Sequence, residues 1–138
     1  MVQFYVLSIL VNLLGGFLLA GDVISKKFSS FDFCHNILKS ESYTLIFAIV
    51  AAVAGIFKLI SPIYVNHVIY VLGDLLPAAA SLVIAAFFFC KYLLEKKGVL
   101  EGTFGSIDLF IEKYKTLIGI ACLAIAFLHF LFPHVIFL

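Results

Sequence analysis

Four long apolar segments constrain this chain more than any other feature of its sequence. They cover residues 4–21, 43–60, 68–94 and 115–138. Each is close to or above the ~20 residues that an α-helix needs to cross ~30 Å of hydrocarbon. The segments are rich in Leu and Ala and lack the alternating pattern of a membrane β-barrel strand. Because backbone groups in lipid must be paired within the segment, we predict four transmembrane helices.

The composition indicates that lipid is the solvent for most of the chain. Of the 138 residues, 64% are hydrophobic and 12% are charged, whereas soluble domains carry about 25% charged residues. A soluble fold of this length needs a charged surface, and this sequence has too few charged residues to form one. The net charge is +1 with both signs interspersed, so there is no basic stripe and nucleic acid is not expected as a partner.

The lysines indicate the orientation. All nine basic residues are Lys, and Lys58 alone lies toward the side opposite the first and third connections. Since Lys and Arg concentrate in cytoplasmic loops, we expect both connections inside and both termini outside a bacterial cytoplasmic membrane. The first segment ends like a signal-peptide cleavage site but has no preceding positive charge, so we interpret it as a retained anchor. The other eight lysines are Lys26, Lys27, Lys39, Lys91, Lys96, Lys97, Lys113 and Lys115.

The two halves of the chain resemble each other. Each would hold two spans starting on the same side, which is typical of a parallel repeat. We therefore predict one membrane domain, residues 1–138, in which repeat 1 (about 1–64) and repeat 2 (about 65–138) form an all-α four-helix bundle. Chance similarity of apolar sequence is the alternative. The matching segments are 4–7 with 69–72, 26–27 with 96–97, 30–33 with 106–109, 44–46 with 116–118, and Pro62 with Pro133.

Each cytoplasmic connection contains a short amphipathic stretch. Ser106 is placed to cap one of them, and a looser stretch follows Ser30. We expect short interfacial helices on the membrane surface. A loop resting on the headgroups and a surface that docks a partner are the alternatives. In the stretch after Ser106, the apolar residues recur on one helical face, at Ile107, Phe110, Ile111 and Tyr114.

Three ionisable residues within the predicted spans are candidates for function, because charge there is costly and often functional. Lys58 and His129 each precede a proline by four residues, and a rise of ~1.5 Å per residue brings both to ~21 to 22 Å from the cytoplasmic ends. Asp74 enters from the outer side at about that level. One interpretation is a proton or ion relay. The alternatives are a structural Lys58–Asp74 ion pair, or Asp74 capping a third helix that spans residues 75–94 with Pro77 in its first turn.

Small and polar residues repeat every four positions along the first span, at Ser8, Asn12, Gly16 and Ala20. Such a stripe lets another backbone approach closely, and Asn12 can form an interhelical hydrogen bond. We favour packing within the bundle over a dimer interface. The pairs Ala48 with Ala52 and Ala51 with Gly55 on the second span compete for either role.

Motifs for enzyme chemistry are absent from the sequence. There is no HExxH, GxSxG, P-loop or GxGxxG pattern. Cys34 and His35 form the only adjacent soft pair, and a zinc site needs three or four ligands. Neither metal nor other cofactor is expected. Cys34, Cys90 and Cys122 form no disulfide framework, so we interpret them as reduced.

The sequence therefore favours a non-catalytic membrane protein, an accessory or structural subunit that packs against the bilayer and against other membrane subunits or its own copies. The second hypothesis is a small oligomeric transporter or channel for a proton, ion or small solute, using Lys58, Asp74 and His129. A third and weaker one is an enzyme acting on lipids, which would require Asp32 and Asp108 to converge with Cys34 or His35.

Overall fold

A computed structural model of the chain describes residues 2–27, 40–60, 63–65, 68–70, 75–96 and 104–132. Within these ranges the chain is helical apart from one short antiparallel β-hairpin. The elements are α1 (Val2–Leu19), α2 (Gly21–Lys27), α3 (Glu41–Ile60), β1 (Ile63–Val65), β2 (Val68–Tyr70), α4 (Leu75–Lys96) and α5 (Phe104–Leu131).

Three helices are long and apolar enough to cross a membrane, as expected for an α-helical membrane protein. Their apolar windows are Ser42–Ile60, Leu75–Leu94 and Leu109–Leu131. The fourth apolar helix, Gln3–Leu19, is shorter. Two local signals define helix starts. The carbonyl of Ser40 accepts the amide and the hydroxyl of Thr44 at the start of α3, and Pro77 lies in the first turn of α4, where no intrahelical partner for its nitrogen is needed.

The long helices form an antiparallel bundle in which α1 and α4 run parallel through the centre. Later residues of α1 contact later residues of α4, since Asn12 contacts Ser81 and Gly15 lies against Ile84. Helix α5 runs antiparallel to α1, and α3 runs antiparallel to α4. The most extensive contacts are α1 with α5 and α3 with α4; α1 with α3 and α4 with α5 also pack together. Within the described residues, α3 and α5 do not contact each other.

The bundle interior consists of small side chains and its exterior of large apolar ones. Ala51 and Ala78 are fully buried, whereas Leu117, Phe127 and Phe130 of α5 are each 60–65% exposed. Soluble monomers rarely expose large contiguous apolar surfaces. This distribution is consistent with a bundle surrounded by lipid or by other apolar helices.

Two elements differ from the expectations. The stretch after Ser106 is not a separate interfacial helix, because α5 begins at Phe104 and continues to Leu131. No proline interrupts this segment, so the amphipathic stretch joins the apolar one in a single helix. The matching stretch after Ser30 lies outside the described residues.

The third apolar segment also begins differently from the predicted span. Its first part contains β2, paired with β1 in the register Ile63 with Tyr70 and Val65 with Val68, and the helix begins only at Leu75. The Val, Ile and Tyr residues of this part favour strands, and Asp74 and Pro77 mark the helix start. The repeated motifs 4–7 and 69–72 therefore differ in secondary structure, because the first lies in α1 and the second overlaps β2. Pro62 and Pro133 lie outside the described residues.

Candidate functional site

The most unusual polar arrangement in the described residues surrounds Tyr5, in the first turns of α1. The phenol hydroxyl donates a hydrogen bond to the backbone carbonyl of His129 at 2.8 Å. The two rings lie 4.8 Å apart between centroids, tilted by 56°. On the same ring, Nζ of Lys58 lies 5.1 Å from the centroid, within the range of a cation–π interaction.

Helix directions place these three side chains together. Lys58 lies in the last turn of α3 and His129 in the last turn of α5, and α1 is antiparallel to both helices. The start of α1 therefore meets two helix ends. Lys58 is 5% exposed and His129 is fully buried. An ammonium, an imidazole and a phenol thus share a space that is largely closed to solvent, and all three groups can take part in proton transfer.

The three residues expected in one intramembrane cluster are Lys58, Asp74 and His129. The structure brings Lys58 and His129 into contact with the same side chain, that of Tyr5. Asp74 lies outside the described residues, directly before the first residue of α4. Tyr5 was not among the predicted site residues, because a buried tyrosine hydroxyl usually finds a partner but the sequence does not show which one. Its position relative to two helix ends could not be read from sequence spacing.

A second polar cluster links α1 and α4, further along α1 than Tyr5. Asn12 donates from Nδ2 to the carbonyl of Pro77 at 3.0 Å, and Ser81 donates from Oγ to Oδ1 of Asn12 at 2.9 Å. The Pro77 carbonyl can only accept, so it fixes the orientation of the Asn12 amide. Ser81 Oγ also lies 2.9 Å from the Pro77 carbonyl. All three residues are buried, so this interhelical contact is internally satisfied.

The small-residue stripe of α1 lies inside the bundle. Ser8, Asn12 and Ala20 are at most 1% exposed, and Gly16 is buried. A Cβ atom added to Gly16 would lie 2.8 Å from the carbonyl oxygen of Gly119, a distance that real Cβ atoms essentially never show. Helices α1 and α5 therefore approach closely where both residues are glycine.

The competing pairs on α3 lie largely inside as well. Ala48 and Ala51 are at most 3% exposed, and Ala52 is partly buried. A Cβ added to Gly55 would lie 3.1 Å from the carbonyl oxygen of Ala78 on α4. Both sets of small residues thus mediate contacts within one chain.

At the opposite end of the bundle, charged residues surround a pocket between α1, α2, α4 and α5. Nζ of Lys115 lies 2.5 Å from Asp22 and 2.7 Å from Glu112. Lys91 of α4 lines the same pocket. The distribution of lysines in the sequence indicates topology and does not predict this cluster.

The residues considered for other chemistry are scattered or not described. Cys34, His35 and Asp32 lie outside the described residues, and so does the side chain of Asp108. Cys90 is partly buried and Cys122 is buried, both as free thiols. Among the residues that the structure describes, no three His, Cys, Asp or Glu side chains converge as metal ligands would.

Comparison with known proteins identifies a family but not a function. A family model matches residues 1–129, and the domain that it represents has no known function. No curated protein and no solved structure matches the chain.

Proposed function

We propose that this chain, which belongs to the family whose model matches residues 1–129, is a non-catalytic polytopic membrane protein that acts as an accessory or structural subunit of a membrane complex. The observation that carries the proposal is the contrast between a closed interior and an apolar exterior. The Asn12 amide is satisfied by Pro77 and Ser81, and glycines meet between α1 and α5. A bundle of this kind offers its outer surface to partners.

Helix α5 offers the largest such surface. Only 22% of its apolar window, Leu109–Leu131, is buried inside the chain, compared with 44% for Leu75–Leu94 of α4. Its exposed side chains include Leu117, Phe127 and Phe130. Either lipid or a neighbouring apolar helix would cover these side chains, and the accessory-subunit proposal assigns them to a neighbour.

Four spans are part of this proposal. Helix α1 has 18 residues, or about 27 Å at 1.5 Å per residue, which nearly matches a hydrocarbon layer of ~30 Å. It packs against α3, α4 and α5. With four spans, the lysine distribution places both termini outside, and the source would be a bacterial cytoplasmic membrane.

The proposed two-fold repeat is supported by the pattern of helix contacts. Among the four long helices, exchanging α1 with α4 and α3 with α5 turns each observed packing pair into an observed pair. The two central helices, α1 and α4, run parallel, as a two-fold axis along the membrane normal requires. The segment 69–72, which matches residues 4–7 of α1 in sequence, overlaps β2 and weakens the correspondence at that end.

Photo-crosslinking in native membranes tests the subunit proposal. A photoreactive amino acid would replace Leu117 or Phe127 on α5, and a matched probe would replace Val83, which is 43% exposed on α4. The proposal expects one adduct of defined mass from the α5 positions, in a complex of fixed stoichiometry after mild detergent extraction. Lipid adducts alone at all three positions, together with a monomeric chain, would contradict it.

A small transporter or channel is the second candidate, favoured by the Tyr5 cluster. Buried ionisable groups within a membrane bundle are often part of ion or proton pathways, and Lys58 and His129 both contact Tyr5. Proton flux into liposomes containing the purified chain would be followed with an enclosed pH-sensitive dye. Lys58→Met and His129→Phe should each abolish the flux, and Lys113→Met, at an exposed position, should leave it intact. The absence of flux in the unmodified chain would exclude this candidate for protons.

A further inference from the structure

Helix α3 turns all of its Ile and Val residues away from the rest of the chain. Each of the six is 38–68% exposed, whereas the buried side of the same helix includes Ala51 and Ala54, at most 1% exposed. The other three long helices each bury at least one such residue, namely Val11, Ile84 and Ile111. The six residues, which we call the α3 face, are Ile46, Ile49, Val50, Val53, Ile56 and Ile60.

The α3 face is one continuous strip along the helix. Five of its members, from Ile46 to Ile60, follow the spacing 3, 4, 3, 4, which keeps side chains on one side of an α-helix. This range of the helix is about 21 Å long. The only charged residue within it, Lys58, is 5% exposed, so the strip itself is uncharged.

Stiff side chains distinguish the α3 face from a surface that only contacts lipid. Val and Ile have one strongly preferred χ1 rotamer in a helix, so they lose little freedom when another helix packs on them. This matters in a bilayer, because lipid tails are as apolar as the side chains and helices associate mainly through close packing. Leu would be equally apolar toward lipid and is a better helix former. The segregation of all six residues to one side therefore favours a helix as the neighbour.

We propose that the α3 face pairs with the α3 face of a second copy of this chain, around a two-fold axis along the membrane normal. Copies inserted in one membrane share an orientation, so the two α3 helices would run parallel, with each residue at the depth of its own counterpart. Helix α3 already packs against α4 and α1, which leaves one side for one further helix. A pair therefore fits better than a larger ring, and two-fold dimers are the commonest closed assemblies.

The area and the charge of the α3 face both suit a dimer. Its six residues together expose about 500 Å² per copy, so two faces in full contact would bury about 1,000 Å², which is the size that a specific interface requires. Phe57 and Tyr43, 46% and 62% exposed, lie beside the face on the same helix and would add to this area. Because the face is uncharged, no like charges meet when two identical surfaces pair.

Cysteine cross-linking in native membranes tests the pairing. In a full-length background with Cys34, Cys90 and Cys122 replaced by Ala, single cysteines would replace Ile49, Val53 or Ile56, and copper phenanthroline would oxidise them. One cysteine per chain suffices, since a two-fold axis brings each residue near its own counterpart. We expect a disulfide-linked species of twice the chain mass from the α3 positions.

Two exposed positions elsewhere on the bundle control for random collision. Leu117→Cys on α5 and Val83→Cys on α4 replace side chains that are 65% and 43% exposed. Both should give only the background level of cross-linked dimer.

A conservative substitution separates helix packing from lipid contact. Ile49→Leu together with Val53→Leu keeps the face apolar but replaces stiff side chains with flexible ones. Dimer content would be measured by energy transfer between labelled copies in liposomes of increasing lipid-to-protein ratio. We expect the apparent dissociation constant to rise about tenfold. Ile120→Leu together with Val83→Leu makes the same two changes at positions 52% and 43% exposed on α5 and α4, and should leave the constant unchanged.

Several outcomes would overturn the proposal. A monomer at every lipid ratio, or equal cross-linking at the α3 and control positions, would leave the α3 face to lipid. A photoreactive residue at Ile49 that joins the chain to a different protein would assign the face to another subunit. Trimers or larger rings, counted by native mass spectrometry, would reject the two-fold arrangement.

The dimer and the subunit proposal can fail separately. The inference goes beyond that proposal, which assigns a different surface, on α5, to a neighbour. Lipid adducts alone at Leu117 and Phe127 would remove the α5 neighbour and leave the α3 pairing intact. If the double Leu variant of α3 lost its helical circular dichroism, cross-linking at Ile49, Val53 and Ile56 would decide the pairing by itself.

Discussion

Tyr5 donates its hydroxyl hydrogen bond to the backbone carbonyl of His129, 2.8 Å away, and so connects the beginning of α1 with the last turn of α5. The same ring lies beneath Nζ of Lys58 in the last turn of α3. Because α3 and α5 do not contact each other in the described residues, this one aromatic side chain links both outer helices to the centre of the bundle.

Removing the Tyr5 hydroxyl should destabilise the chain modestly. Tyr5→Phe keeps the ring beside Lys58 but loses the hydrogen bond to the His129 carbonyl, which costs about 1 kcal/mol on average. The midpoint of thermal unfolding in detergent should fall by a few degrees. Tyr43→Phe removes a hydroxyl from a residue that is 62% exposed and should leave the midpoint unchanged. Equal effects of the two changes would mean that the hydrogen bond does not contribute.

The close approach of α1 and α5 should not tolerate one added methyl group. In Gly16→Ala, Cβ would meet the carbonyl oxygen of Gly119 at 2.8 Å, and a backbone atom cannot move as a side-chain end can. We expect a loss of about 1–3 kcal/mol, as for other overpacked cores. Ala121→Leu adds more volume at an exposed position of α5 and should have little effect. Stability and oligomer size would be measured together.

Asn12→Leu should also weaken the bundle, for a different reason. It leaves the Pro77 carbonyl without its interhelical donor and removes the acceptor of Ser81. Interhelical hydrogen bonds in membrane proteins contribute about 0.6 kcal/mol on average and up to about 1.7 kcal/mol. Loss of stability with unchanged oligomer size indicates packing within the chain. No change in either would show that the stripe of small residues does not support helix association.

Hydropathy predicted the helical membrane character and most helix bounds. The segment 43–60 corresponds to Glu41–Ile60, and 4–21 corresponds to Val2–Leu19 followed by a turn at Ala20. Hydropathy did not predict the β-hairpin, because Val68–Tyr70 is as apolar as the helix that follows. The start of α5 was missed for the converse reason: its first turns are amphipathic, and periodicity alone does not show whether two adjoining helical patterns form one helix.

The candidate site was only partly accessible to sequence reasoning. Counting residues along each helix predicted that Lys58 and His129 would lie at one level, since the rise per residue is constant. Counting could not predict that Tyr5 would contact both of them, because this depends on the rotation of three helices about their axes. The sequence likewise did not show the Asp22–Lys115 pair, because it joins residues far apart in sequence where α2, directly after α1, meets α5.

The orientation proposed from the lysines can be measured directly. In a cysteine-free background, single cysteines would be placed at residue 138 and next to Lys97. An impermeant maleimide added to intact cells stripped of their outer membrane should label residue 138 and spare the position near Lys97. Both should be labelled after permeabilisation. The reverse pattern would place residue 138 inside and would overturn the proposed topology.

Charge coupling between Lys58 and Asp74 is the last prediction. Either charge left alone in the outer half of the bilayer would cost about 2.5 to 3.5 kcal/mol on insertion scales. If the two residues pair, Lys58→Met and Asp74→Asn should each lower the unfolding midpoint more than both changes together, and a double-mutant cycle isolates this coupling. Lys113→Met combined with Asp74→Asn is the control cycle, since Lys113 lies exposed on α5 and should add independently.

Each outcome of the cycle assigns a different role to these residues. Additive losses would mean that Lys58 and Asp74 do not meet, so that Asp74 caps α4, which begins at the next residue, and Lys58 contacts the ring of Tyr5 without depending on Asp74. Restored stability with unaltered complex formation would make the pair structural and favour the subunit proposal. Restored stability with abolished proton flux would place the pair in a transport path. His129→Phe should then abolish the same flux, because His129 contacts Tyr5 from α5.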